Sequence, residues 1–292
     1  MRTEKEIMEL ILSIAKTDER IRAVRIDGSR ANPNAPKDIY QDYDISFFVT
    51  DVKSFLLDKS WISKFGDTLI IQEPDWNDNC TRWYSSEPHD FEKSYGWLML
   101  FDDGNRIDLG IISLNEKQFF EASGEPTITL IDKDGLLPTY PIPSDAVYWV
   151  KKPDDSIYYA CCNDFWWCLN NVAKGIARDE LPYAMEMLNH YVRDMLNHMI
   201  EWYIGVKTDF SVSAGKMGKY FKRYLPVNLY KQYCDTYSNS NYDNIWVSIY
   251  SMCDLFHDLA IQLADSLGFI YRQHEEDGIR KYLEMVKSNT TK

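Results

Sequence analysis

The chain has 292 residues and a formal net charge of −13 at pH 7. This length exceeds what one average hydrophobic core supports, so it predicts two domains. A composition that is 45% hydrophobic and 26% charged is that of an ordinary globular protein. Because non-specific affinity for nucleic-acid phosphates comes from clustered Lys and Arg, the acidic balance argues against a DNA or RNA partner and favours a cationic one.

The sequence contains no membrane or zinc signal. No stretch approaches the roughly 18 apolar residues of a membrane span, and segment 1–22 is typical of an amphipathic helix rather than a signal peptide. The six cysteines form no CxxC pair and have no zinc-like spacing to the five histidines. We therefore expect a soluble, cytoplasmic protein with reduced cysteines, no membrane partner and no structural zinc.

The first 135 residues have the patterns of a mixed α/β sheet. Apolar residues at helical spacing in segment 7–14 predict a helix, and the alternating segment IRAVRI (21–26) predicts a strand. Asp102 to Asn105 form a turn signal between two further apolar runs, which predicts a hairpin. The predicted strands after the first are 44–51, 68–73, 95–101 and 106–113.

From about residue 155 the apolar period becomes helical. A first helix carries Phe165, Leu169, Val172 and Ile176 on one stripe, and Pro182 begins a second. The second stripe consists of Met185, Leu188, Val192, Met195, Met199 and Trp202. A third helix ends near Gly268 and a last one follows residue 274. Segment 134–155 holds four of the eleven prolines and is the expected linker. The fold class is therefore α+β, with a mixed-sheet domain at 1–135 and a helical bundle at 136–292.

Three aspartates in the first half are candidate metal ligands. Asp42 and Asp44 are two residues apart on a predicted strand, so both carboxylates leave the same face and Tyr43 points the other way. Asp108 lies between apolar neighbours on a later strand, where a buried acid needs a partner. Three converging carboxylates form a hard oxygen site that suits Mg²⁺.

The end of the first strand is a candidate phosphate site. Gly28 lets a backbone approach a phosphate closely, and Ser29 adds backbone and hydroxyl donors. Arg30 can add positive charge to the same phosphates. A loop over residues 31–41 separates this turn from the acidic pair.

The combination of Gly-Ser and Asp-x-Asp resembles the signature of the polymerase beta-like nucleotidyltransferase superfamily. The longer segment DERIRAVRIDGSRANPNAPKDIYQDYDISFFVTD (18–51) resembles the aminoglycoside 6-adenylyltransferases, which inactivate streptomycin. The resemblance extends through LMLFDDGNRIDLGIIS (98–113) and CCNDFWWCLNNVAKGIARDELPYAM (161–185), and so covers nearly the whole chain.

The resemblance implies an enzyme that transfers AMP from MgATP to an antibiotic hydroxyl and releases pyrophosphate. It implies that Asp42 and Asp44 hold the metal, with two Mg²⁺ ions expected, and that Asp108 is the third carboxylate. Gly28, Ser29 and Arg30 would lie at the triphosphate. Asp108 is also where we expect the general base, because a carboxylate beside the metal can accept the proton of the attacking hydroxyl.

The helical half offers weaker candidates. Lys174 lies on the polar side of its helix, where it either contacts the β and γ phosphates or is a solvated lysine; the resemblance favours phosphate contact. Glu186, His190, Asp194 and Glu201 share a polar face, which either binds the guanidinium groups of an aminoglycoside or is an ordinary solvated face. The aromatic runs at 83–84, 165–167 and 202–203 are expected to be mostly core, with one or two residues free to stack on a substrate.

Several functions remain open from the sequence. The acceptor is streptomycin, another small hydroxylated molecule such as a lincosamide, or a protein side chain. A non-catalytic nucleotide-binding regulator is disfavoured, since such a protein is expected to lose at least one of the three carboxylates.

Overall fold

A computed structural model describes residues 1–58, 60–81, 87–121 and 124–290 of the chain. The chain divides into two compact units, Met1–Val147 and Tyr148–Lys292. This division falls after residue 135 because part of the proline-rich segment bonds to the first unit: the Tyr140 hydroxyl donates to the Phe120 carbonyl at 2.6 Å, and the Asn34 side-chain amide donates to Asp145 at 2.9 Å. Within the described residues, no helix is long and apolar enough to cross a membrane.

The first unit contains a mixed sheet of six strands in the order β3-β4-β5-β2-β1-β6. Strands β2 and β5 pair in parallel and the other neighbours pair antiparallel. The predicted hairpin is confirmed as β4 and β5, and the other predicted strands are present within one or two residues. The strands are β1 Ile21–Asp27, β2 Tyr43–Val49, β3 Thr68–Gln72, β4 Ser94–Phe101, β5 Arg106–Ser113 and β6 Thr127–Asp132.

The sequence did not predict β6. This strand is at the sheet edge and pairs only with β1 among the described strands. Of its six residues only Thr127 is buried, so the strand contributes no fully buried apolar side chain to the core.

The first helix of this unit forms as its sequence predicts. Thr3 and Glu6 make a reciprocal capping box at its start, and its apolar face packs on the sheet through Ile7, Ile11 and Ile14. Shorter helices connect the strands. The α-helices of the unit are α1 Glu4–Thr17, α2 Gly28–Ala31, α3 Lys53–Leu57 and α4 Pro74–Thr81; 3₁₀ turns span Trp61–Phe65, Lys117–Phe119 and Ala146–Tyr148.

The two faces of the sheet have different chemistry. Along β2, Tyr43, Ile45, Phe47 and Val49 are buried against the face that α1 covers. The opposite face carries Asp44, Ser46 and Phe48, and Phe48 is covered by Phe120 with ring centroids 4.9 Å apart. Tyr43 therefore points away from the acidic pair, as predicted, and the aspartates lie at one end of the less covered face.

The second unit is helical and has one continuous core. The predicted stripe on α5 is buried throughout, and Gly268, with φ +76°, ends α10 as the sequence predicts. The helix that Pro182 begins contains a π-helical turn at Met187–Val192. The α-helices are α5 Asp155–Ala177, α6 Leu181–Glu186, α7 Arg193–Lys207, α8 Phe221–Tyr224, α9 Val227–Asp235, α10 Tyr242–Leu267 and α11 Gln273–Thr290.

The aromatic runs are mostly core, as expected. Phe165 and Trp166 are buried, as are Trp202 and Tyr203, but the Trp167 side chain is 69% exposed on the outer side of α5. The pair at 83–84 lies outside the described residues. All six cysteines are described, and none forms a disulfide.

Candidate active site

Strand register brings carboxylates of three neighbouring strands to one level. Asp44 of β2 is paired with Asp27 of β1 on one side and with Asp108 of β5 on the other. Directly paired residues point to the same face of a sheet, so these side chains form a row. Asp42 immediately precedes β2 and joins the row from the loop.

Asp42, Asp44 and Asp108 offer carboxylate oxygens that all lie within 4.8 Å of one another. We call these three residues the triad. Burial disfavours the charged form of Asp44, and the neighbouring charges of Asp42 and Asp108 repel it further, which raises the pKa of Asp44 to about 7. The negative charges of the triad therefore repel one another at Asp44.

Asp27 is a fourth carboxylate that sequence reasoning missed. Its oxygens accept hydrogen bonds from the Arg25 guanidinium at 2.9 Å and from the Thr127 hydroxyl at 2.8 Å. Thr127 lies on β6, the strand that the sequence did not predict, so the signal for this contact was absent. The position of Asp27 next to Gly28 was the available clue. Asp27 is not part of the group of carboxylates that lie close enough together to hold a metal.

Gly28 and Ser29 begin the short helix α2 directly after β1. Gly28 has φ +72°, and a Cβ at this position would lie 2.2 Å from an oxygen of Asp44. Both the backbone conformation and the contact therefore require glycine. The Gln41 amide lies 3.4 Å from the Ser29 hydroxyl, which ties the turn to the loop before Asp42. The predicted phosphate turn and the acidic pair are thus in contact.

Arg30 is placed differently from the other predicted residues. Its guanidinium donates to the carbonyls of Asp42 and Gln41 at 3.0 and 2.8 Å and lies 3.6 Å from the centre of the Tyr43 ring. The side chain is only 9% exposed. These contacts hold the loop that presents Asp42. A role of Arg30 at the triphosphate stays a prediction.

Asp108 has a cationic neighbour of its own. Arg106, two residues earlier on β5, donates to both carboxylate oxygens of Asp108 at 2.7 and 2.6 Å. This hydrogen bond and the negative charges of the triad raise the pKa of the Arg106 guanidinium above its ordinary value. The sequence alone did not single out Arg106.

The donor set fits a magnesium site. All three ligand groups are carboxylates, the class of ligand that Mg²⁺ prefers, and Mg²⁺ takes its remaining ligands from water and phosphate oxygens. A divalent cation would relieve the repulsion that raises the pKa of Asp44. Among the described residues, no other group of three acids, histidines or cysteines is close enough to hold a metal.

The candidate residues of the second unit are half-buried or exposed. Lys174 is half-buried on α5. Glu186, His190 and Asp194 are exposed, with the His190 ring 3.7 Å from the Glu186 carboxylate. Glu201 accepts a hydrogen bond from His198 at 3.4 Å, which raises the pKa of that histidine.

Comparison with known proteins places the chain in one family. The family model described as streptomycin adenylyltransferase matches residues 1–286. The chain is 36% identical to the aminoglycoside 6-adenylyltransferase of Bacillus subtilis (strain 168), over 98% of each chain. It is 37% identical to that of Campylobacter jejuni, over 94% of this chain and 93% of the relative.

A solved structure of an aminoglycoside 6-adenyltransferase from Bacillus subtilis is 33% identical, covers 98% of this chain and 99% of its own, and superposes with a TM-score of 0.48. The full-length sequence matches show what this chain is related to, and they include the triad and the glycine turn within their span. The chain belongs to the streptomycin adenylyltransferase family and is a nucleotidyltransferase enzyme.

Proposed function

We propose that this enzyme transfers AMP from MgATP to the 6-hydroxyl of streptomycin, releases pyrophosphate and thereby confers resistance to the antibiotic. The observation that carries the proposal is the convergence of the triad beside Gly28, in a chain whose relatives are named aminoglycoside 6-adenylyltransferases. We place the reaction in the cytoplasm, where ATP is available.

In this proposal the triad binds two magnesium ions. When bound, the ions would balance the charge of the phosphates and stabilise both the entering and the leaving oxygen. Asp42 and Asp44 are the ligands from the start of β2 and Asp108 is the ligand from β5. The backbone N–H groups of Gly28 and Ser29 and the hydroxyl of Ser29 donate to the triphosphate oxygens.

The residues of the chain then orient the acceptor and take its proton. The acceptor hydroxyl oxygen forms a bond to the α-phosphorus, and the bond between that phosphorus and the pyrophosphate oxygen breaks. Asp108 accepts the hydroxyl proton as general base. Replacing Asp108 by Asn removes the base, so turnover is expected to be lost while streptomycin binding, measured by calorimetry, is kept. A fully active Asp108→Asn variant would contradict the role.

The acceptor is proposed from charge as well as from family. Streptomycin carries guanidinium groups, and a chain with a net charge of −13 attracts a cation and repels nucleic acid. Charge-assisted hydrogen bonds from guanidinium to carboxylates are among the stronger polar contacts. We therefore propose no nucleic-acid partner.

The direct test is pyrophosphate release from MgATP with streptomycin, with kanamycin and no acceptor as controls. Release that needs streptomycin supports the proposal. Release with kanamycin or a lincosamide instead would move the acceptor to another small molecule. Label from ATP appearing on protein, with no acceptor present, would replace the antibiotic by a protein substrate.

Lys174 is proposed as a residue that contributes positive charge to the bound triphosphate. Lys174→Ala is then expected to raise the KM for ATP and leave the KM for streptomycin unchanged. An unchanged KM for ATP would identify Lys174 as a solvated lysine.

A further inference from the structure

Two aspartates of the row each have an arginine two residues earlier on the same strand. Arg25 pairs with Asp27 on β1, and Arg106 pairs with Asp108 on β5. Asp44, between them, has no such cation. The two pairs look alike in sequence, but their surroundings differ.

Arg25 is held in place. Its side chain is 13% exposed, and besides Asp27 its guanidinium donates to the Phe119 carbonyl at 2.8 Å and packs over the Phe48 ring. Several partners and burial make this a permanent counter-ion, because leaving Asp27 would break all of these contacts at once.

Arg106 is held by fewer contacts than Arg25 and can separate from Asp108. Its side chain is 48% exposed, and among the described residues its guanidinium hydrogen-bonds to Asp108 alone. Breaking that pair exposes the guanidinium to water, and half-exposed ion pairs contribute little net stability.

Arg106 holds both oxygens of the Asp108 carboxylate, and one oxygen of this carboxylate is the ligand atom that Asp108 offers to a metal in the triad. A carboxylate that already accepts a bidentate guanidinium is a weaker ligand, and a divalent cation beside that guanidinium would be repelled by it. Full metal coordination by Asp108 and the Arg106 contact therefore oppose each other.

We propose that Arg106 is a displaceable counter-ion of the metal site: it occupies Asp108 until a divalent cation takes the carboxylate, and so weakens binding of the free ion. Arg106 is a positioning residue, since it acts through Asp108. The inference rests on the proposed function, because it requires that the triad bind the metal. Its consequence is that the ion enters more readily together with the negatively charged nucleotide than alone.

The test measures binding of Mn²⁺, as a probe for Mg²⁺, to the full chain without nucleotide, by the electron paramagnetic resonance of the free ion. Arg106→Gln is expected to bind Mn²⁺ up to about fivefold more tightly than the wild type, since no ion pair of up to about 1 kcal/mol has to be broken. Tighter binding cannot result from a damaged fold. Arg106→Lys keeps the positive charge but cannot make the bidentate contact of a guanidinium. Its affinity for Mn²⁺ is expected to lie between those of the wild type and Arg106→Gln.

The matched control is Arg22→Gln. Arg22 makes a similar bidentate pair with Asp134, at the other end of β1 from Asp27. Its loss is expected to leave Mn²⁺ affinity unchanged. Equal tightening in both Gln variants would show a general charge effect and overturn the proposal. Affinity in Arg106→Gln that is unchanged or weaker would overturn it too, as would an Arg106→Lys variant that binds like the wild type.

Asp42→Asn separates this inference from the proposed function. Loss of Mn²⁺ binding in Asp42→Asn with no effect of Arg106→Gln would overturn the role of Arg106 alone. Mn²⁺ binding that survives Asp42→Asn would overturn the metal site itself.

Discussion

The triad of the first unit and Glu276 of the second unit are buried or half-buried carboxylates that are treated in opposite ways. The triad gathers three acids, and the pKa of Asp44 is raised to about 7. In the second unit, Glu276 of α11 is 3% exposed, more deeply buried than any triad member. Burial would raise its pKa, yet hydrogen bonds from Tyr271, His257 and Arg280 hold that pKa below the ordinary value.

Glu276 has donors for both of its oxygens. One oxygen accepts from the Tyr271 hydroxyl at 2.8 Å and from the His257 ring at 2.7 Å, and the other accepts from Arg280 at 2.7 Å. This network joins α11 to α10, so its carboxylate contributes to folding. The contrast teaches that a buried acid with its partners built in stabilises the protein, whereas acids without them are arranged for a ligand.

The largest expected effect is a difference in activity between a triad variant and a Glu276 variant. Asp42→Asn is expected to lower kcat for adenylyl transfer by roughly 10³-fold or more, since it removes a ligand from the metal site. Glu276→Gln is expected to keep the wild-type kcat at temperatures where it is folded. Steady-state pyrophosphate release measures kcat in both variants. Comparable losses of kcat would contradict the assignment of the triad to catalysis and of Glu276 to stability.

Gly28→Ala is expected to have the next largest effect on kcat. The new Cβ collides with the Asp44 carboxylate and the positive φ is strained, so kcat should fall by about 10²-fold through misplaced ligands. Gly135→Ala is the matched control, because Gly135 has φ +66° but no atom within 4 Å of a Cβ. In Gly135→Ala, backbone strain alone is expected to lower stability and to leave kcat unchanged. Equal activity of the two variants would show that crowding at Asp44 does not matter.

Glu276→Gln should reduce the free energy of unfolding by about 2 kcal/mol, because a buried carboxylate that accepts charged hydrogen bonds is lost. Urea denaturation at pH 7 measures the change. Asp134→Asn, which removes an acid from a solvent-screened pair with Arg22, serves as the control and is expected to cost much less stability than Glu276→Gln. If both variants lose the same free energy, the Glu276 network is not the tie between α10 and α11.

The smallest effect is a pH dependence of that difference. The pKa of Glu276 is lower in the folded protein than its ordinary value of 4.5, so its ionised form contributes stability that is present above 4.5 and is lost as pH falls through the folded pKa. The gap in unfolding free energy between wild type and Glu276→Gln should therefore shrink below pH 4.5. A gap that grows on acidification would have the wrong sign.

Much of the site could be predicted from sequence because its signals are local. Asp42, Asp44 and Gly28 lie within one strand-loop-strand segment, and Asp108 stands out as an acid between apolar residues. The parallel pairing of β2 with β5, which brings Asp108 beside Asp44, is a non-local register that spacing does not encode.

The missed features depend on partners distant in the chain. Asp27 is paired through Thr127, a hundred residues away, and β6 is an exposed edge without a buried alternation. Arg30 looked free for phosphate because its contacts to the carbonyls of 41 and 42 arise only when the loop folds back. Glu276 was not singled out because two of its donors, His257 and Tyr271, come from another helix and a loop.

The most direct test of the account is the response of the thermal unfolding midpoint to Mg²⁺ in wild type, Asp44→Asn and Glu276→Gln. Without metal, Asp44→Asn is expected to melt no lower than wild type because repulsion between the carboxylates is relieved. Mg²⁺ is expected to raise the midpoint of wild type and Glu276→Gln but not of Asp44→Asn. An Asp44→Asn variant that melts lower without metal, or that Mg²⁺ still stabilises fully, would contradict the account.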